Sequence, residues 1–178
     1  MKFFSQLVSF VPVVVLGAVG AMAQSSDVVI TAIGGFTATT SSLCTTCNNL
    51  SILNFLTSGF EIAQGLGNIT TAIASFNAEF SSTTVAYSDA VAIQVVSVLT
   101  TFVEVQQELL NIVISKHSLA AQFLLTAPIA AALTLCKGVI DTFFVGVIAL
   151  IPTQCGPAQT QISAWNATFT ECITTYSS

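Results

Sequence analysis

The chain of 178 residues contains no arginine, three lysines and a single histidine. Charged residues make up 6% of it, the formal net charge is −5, and the sequence pI is about 4.3. Binding to nucleic acid needs a basic footprint, so that partner is excluded. The same shortage leaves no polybasic attraction to anionic lipid heads. One imidazole and scattered cysteines offer no paired ligand knuckles for zinc, so neither a metal site nor a cofactor is expected. A Gly-x-Ser-x-Gly elbow, an oxyanion loop and a phosphate-binding glycine loop are missing. Glu104 and Glu108 share an outward, solvated face, which argues against paired acid–base carboxylates. His117 reads as a helix-end cation rather than a catalytic base. The expectation is a protein that is not an enzyme.

Apolar residues are abundant. They make up 53% of the chain, with 13 phenylalanines. Such a composition rules out disorder, and the length suits one domain with a sizeable core. The N-terminus reads as a secretory signal over 1–23: Lys2, an apolar run from Phe3 to Val19, and the small-x-small site Ala21-Met22-Ala23. Residues 24–178 would then be the mature domain. Asn49, Asn68 and Asn166 each open an Asn-x-Ser/Thr sequon, which fits a secreted glycoprotein. The end, Ile173 to Ser178, has no hydrophobic tail for a lipid anchor.

Apolar residues recur with a helical period, so the expected fold is all-α, an up-and-down antiparallel bundle of about five amphipathic helices. The clearest helix runs from Ser88 to Ser115, with Val91, Val95, Val98, Phe102, Val105, Leu109 and Ile112 on one face. A helix from about Ser51 to Glu79 carries Ile52, Phe55, Gly59, Ile62, Leu66, Ile69, Ile73 and Phe76 inward. The first, about Asp27 to Cys47, is weakened by its threonines and by Gly34-Gly35. A fourth begins after Thr126, with Ile129, Leu133, Cys136, Ile140, Phe143, Val147 and Leu150 inward, and ends near Pro152. The fifth starts near Pro157 with Ile162, Trp165, Phe169, Cys172 and Tyr176 as its seam. The fourth helix is strongly apolar. The pair Lys137 and Asp141 in its middle favours a bundle helix over a transmembrane anchor. The face bearing that pair continues through Phe144, Ile148 and Ile151. Either the helix is central in the bundle, or these three form an exposed, surface-binding patch.

In an oxidising compartment cysteines pair by default. Alternating helix directions place Cys44, Cys47, Cys136 and Cys172 in one half of the bundle and Cys155 at the other end. The expected disulfides join one of Cys44 or Cys47 to Cys172 and the other to Cys136. Zinc or redox use of Cys44-Thr-Thr-Cys47 lacks the necessary context.

The stretch Phe102 to Lys116, with Leu133 and the run Val139 to Pro152, resembles the fungal hydrophobic-surface-binding protein family. The closing Ile173-Thr-Thr-Tyr176 is similar too. The resemblance implies a secreted or cell-wall-associated five-helix bundle that adsorbs to hydrophobic surfaces and recruits secreted esterases such as cutinase or lipase. Related cell-wall mannoproteins hold fatty acids between their helices. Five cysteines depart from the family pattern, and the eight that a hydrophobin needs are not present.

Two functional readings follow. A lipid carrier would hold an acyl chain between the inward stripes, lined by Phe55, Ile62, Ile69, Phe102, Val105, Leu109, Ile140, Phe143 and Phe169. Each buried methylene would contribute about 0.8 kcal/mol. The same residues equally suit a solid core. A surface coat would instead act through Phe144, Ile148 and Ile151.

Overall fold

A computed structural model describes residues 25–79 and 85–177. The expected signal segment lies outside the described residues. The fold is all-α, with no strand among those residues. Five long helices form the bundle: α1 (Ser26–Asn48), α3 (Phe60–Glu79), α4 (Asp89–Ser115), α6 (Thr126–Leu150) and α7 (Cys155–Ser177). Two short helices, α2 (Phe55–Ser58) and α5 (His117–Gln122), lie in the connections at one end. Pro152 ends α6 by opening a 3-10 turn, Pro152–Gln154.

The helix expected from Ser51 is broken at Gly59. A Cβ there would stand 2.7 Å from the Phe55 ring, so only glycine lets the chain pass beneath it. Ile52, expected inside, is consequently in the connection and exposed. The α1 threonines do not prevent a helix. Thr37, Thr39, Thr40, Thr45 and Thr46 donate their hydroxyls to carbonyls four residues back. Gly34 and Gly35 lie on its exposed face.

Helix directions alternate along the chain, as cross-helix contacts show. Phe36 meets Phe76 while Leu43 meets Gly65, so α1 and α3 are antiparallel. The most extensive packing, however, joins helices of like direction: α1 with α4, α4 with α7, and α3 with α6. Lys116 exploits this. Its ammonium group donates to Leu50 O at 2.8 Å and Asn48 O at 3.4 Å, placing a cation on the carbonyl end of the parallel helix α1.

Helix α6 lies against both α3 and α7. That position overturns the exposed patch expected on Phe144, Ile148 and Ile151. Phe144 is 2% exposed, Ile151 is fully buried, and Ile148 is half-buried against the core. Phe144 turns toward α7, where its ring meets Trp165 edge-on at 4.9 Å. The outward α6 positions hold Ala131, Gly138 and Thr142, together with the exposed Leu135 and Val145. By length and composition alone, α1, α4 and α6 are long and apolar enough to cross a membrane.

The expected disulfides are not formed. All five cysteines are free thiols. Cys44 donates to Val105 O at 3.8 Å, Cys136 is hydrogen-bonded to Thr70, and Cys47 and Cys172 both lie near the Tyr176 hydroxyl. Burial pushes the Cys44 and Cys136 thiols up to about 11, and those of Cys47 and Cys172 up to about 12.

Candidate functional site

All five long helices send rings into one cluster. Phe36 comes from α1, Phe76 from α3, Phe102 from α4, Phe143 and Phe144 from α6, and Trp165 and Phe169 from α7. Phe36 contacts Phe143 at 5.7 Å and Phe76 at 5.8 Å between ring centroids, both edge-to-face. Phe102 meets Phe143 at 6.2 Å and Phe144 at 6.3 Å. Trp165 carries the chain of contacts on to Phe169 at 4.9 Å. Edge-on pairs of this kind contribute about 0.5–1.5 kcal/mol beyond the area they bury. The cluster results from spacing: Phe36, Phe76, Phe102, Phe143 and Phe169 each occupy the inward stripe of their own helix.

The expected lining residues divide. Phe102, Phe143 and Phe169 belong to the cluster. Ile62, Ile69, Leu109 and Ile140 are buried in the same core at other levels, and Val105 is only half-buried. Phe55 is buried at the end of the bundle, away from the ring cluster, stacked on Phe123 at 5.5 Å. Four of the seven rings are not among the expected lining residues. Phe36 lies in the helix weakened by threonine, Phe76 and Trp165 belong to inward stripes without a lining role, and Phe144 belongs to the expected surface patch.

Two members lie at the edge. Phe36 is 8% and Phe76 7% exposed, whereas Phe102, Phe143, Trp165 and Phe169 are fully buried. The helices that carry these two, α1 and α3, leave a groove of about 620 Å³ along their seam. Small and polar residues line it, among them Gly35, Ala38, Thr39, Ser42 and Gly65. A side chain at Gly65 would meet that of Leu43 and require it to shift.

Polar groups around the cluster are few. Lys137 lies 5.5 Å from the Trp165 ring centroid, and donates to Asp141 Oδ2 at 2.8 Å and Asn166 Oδ1 at 2.7 Å. The sequon residue Asn166 is thus half-buried and engaged, while Asn49 and Asn68 are exposed. Trp165 Nε1 is a buried donor without a partner. His117 starts α5 and meets Tyr176 edge-on at 5.1 Å. Burial first, then the nearby Cys172 and Cys47 thiols, push the Tyr176 hydroxyl up, and it donates to Val113 O at 2.7 Å. No group of three or more His, Cys, Asp or Glu side chains could hold a metal among the described residues.

A second apolar region occupies the end where α2 and α5 lie. Ile52, Leu53, Leu56, Phe60 and Leu124 are all exposed there, Leu53 at 93% and Leu124 at 85%. Leu124 also holds a left-handed backbone, φ 59°, unusual for a side chain with a Cβ.

No protein-family model matches the chain, and no curated protein matches its sequence. Among solved structures, a crystal structure of the fungal protein AFMP4P in complex with palmitic acid matches with a TM-score of 0.74. The chain is similar in fold to AFMP4P. The match covers 85% of this chain and 99% of AFMP4P at 13% identity. At that identity the likeness to AFMP4P is one of architecture.

Proposed function

We propose that the protein binds a fatty acyl chain inside the bundle, along the ring cluster, in a carrier role rather than a catalytic one. The observation that carries this reading is the cluster itself: seven aromatic rings from five helices around one apolar interior. Its support from outside is the likeness to a fold that holds palmitic acid in AFMP4P. Phe36 and Phe76 form the gate on this reading. They are the cluster members with an edge in solvent, and they sit on the two helices that frame the α1–α3 groove. Swinging both rings outward would open the interior and would give up the Phe36–Phe102 contact between α1 and α4, leaving the rest of that packing in place. The reading includes secretion through the N-terminal signal, and an extracellular or cell-wall location.

Native mass spectrometry of the secreted protein, followed by lipid extraction, tests it. The expected result is a fatty acid or similar lipid at fixed stoichiometry, with a melting temperature that rises as ligand is added. A protein that stays empty when offered both palmitic acid and 1-hexadecanol would overturn it.

A second reading is adsorption to hydrophobic surfaces, with recruitment of secreted cutinase or lipase. The exposed residues at the α2–α5 end favour it. Five large apolar side chains there face solvent, and no Asp, Glu, Lys or Arg occurs between 48 and 60 or between 117 and 136. An uncharged apolar tip suits wax or polystyrene. Depletion onto polystyrene that disappears in Leu53→Ser/Leu56→Ser/Leu124→Ser is the expected outcome. Undiminished depletion would remove the tip from the account.

A further inference from the structure

Two polar side chains are fully buried among the described residues, Thr40 on α1 and Gln106 on α4, and they meet. Gln106 Nε2 donates to Thr40 Oγ1 at 2.9 Å. Thr40 gives its own hydroxyl hydrogen to Phe36 O at 2.9 Å. Its oxygen can therefore only accept from Gln106, which sets the amide with nitrogen toward Thr40 and oxygen away from it. That oxygen, Gln106 Oε1, is buried and has no partner. A buried acceptor without a donor destabilises the fold, and an apolar side chain of similar size would remove the penalty.

The location of the pair is informative. Thr40 follows Phe36 by one helical turn, and Gln106 follows Phe102 by one turn, about 6 Å along each axis. The rings of Phe36 and Phe102 are themselves 6.4 Å apart. Because α1 and α4 run in the same direction, the ring pair and the polar pair stack as successive layers. The unpartnered oxygen is thus one layer from the proposed acyl site.

We infer that Gln106 Oε1 receives the head of the bound lipid, and that this head is a hydrogen-bond donor: the hydroxyl of a long-chain alcohol or sterol, or an un-ionised carboxyl group. This rests on the acyl-binding reading above. The chemistry selects the class. An ionised carboxylate has no hydrogen to donate and would bring a bare charge into an apolar interior. An alkane would leave the oxygen unpaired. Thr40 is a positioning residue, holding the amide in the orientation that presents the oxygen.

Trp165 lies in the ring cluster and is the chain's single tryptophan, so its emission reports on the site. The test is titration of the full chain with 1-hexadecanol and with hexadecane, for the wild type and Gln106→Leu. The wild type is expected to bind 1-hexadecanol at least tenfold more tightly. Gln106→Leu is expected to bind both alike, at the wild-type affinity for hexadecane, with a melting temperature equal to or above that of the wild type. A merely structural glutamine, locking α1 to α4, would lower that temperature and leave the preference intact. Should Gln106→Leu fail to fold, Gln106→Met keeps the chain length and removes the amide. Equal binding of the two ligands by the wild type overturns the head-group assignment and leaves the acyl site standing. Binding of neither overturns both.

Discussion

The middle of the bundle and its α2–α5 end are built from the same kind of side chain, yet they hide and display it respectively. Phe102, Phe143 and Phe169 are fully buried, whereas Leu53, Leu56 and Leu124 are largely in solvent. Five helices can surround a ring from every side. A connection of a few residues has neighbours on one side only, so Phe55 and Phe123 find each other and the leucines beside them find nothing. Apolar content therefore decides little by itself; the elements available to cover it decide whether it becomes core or surface.

Phe102→Ala should break the comparison hardest. It removes a ring in contact with Phe36, Phe143 and Phe144, and a loss of about 3–5 kcal/mol in denaturant unfolding is expected. Alkaline pH should come next, because four buried thiols act together. Their folded values lie above the ordinary 9.0. The folded state thus keeps protons that the unfolded chain releases, and its advantage is complete below pH 9 and lost as pH rises toward 11–12. Melting temperatures measured in reducing buffer should be level up to pH 9 and fall above it. Oxidation to disulfides would remove the thiols' share of that fall and move its onset up toward pH 10, where the buried Tyr176 hydroxyl begins to contribute, so the titration also tests the state of the cysteines. Lys116→Met should cost about 1.5–3 kcal/mol by releasing Asn48 O and Leu50 O, with faster amide exchange confined to residues 48–60. Leu53→Ser, at the tip, should change stability by no more than about 0.5 kcal/mol. A large loss there would show that the tip is core in solution, and the contrast between the two regions would collapse.

Much of the fold was legible. The α4 stripe through Val95, Phe102 and Leu109 is buried, and Gln94, Ser97, Thr101, Glu104, Glu108 and Asn111 are exposed, as the period requires. The stripe is rotated slightly from its expected line. Val91, Val98, Val105 and Ile112 are half-buried, and Ala92, Leu99, Gln106 and Val113 take the inner positions. That rotation hid Gln106, which beside Gln107 and Glu108 reads as part of a polar face. Its spacing, four from Phe102 and three from Leu109, was the available signal. Phe144 failed for a different reason: a helix flanked on two sides buries adjacent residues, and no single-stripe pattern contains that information. The connections 49–59 and 116–125 have no period at all, so neither the Phe55–Phe123 stack nor the clamp by Lys116 could be read beforehand.

Threonine and serine do on this surface what lysine and glutamate do on most others. In α1, α3, α4, α6 and α7 their hydroxyls are turned back onto the carbonyls of their own helices. Such a coat is polar without being ionic. Copies of the chain are kept apart in solution almost entirely by eight acidic side chains. Near pH 4.3 that repulsion vanishes, and colloidal stability should vanish with it while the bundle itself stays folded.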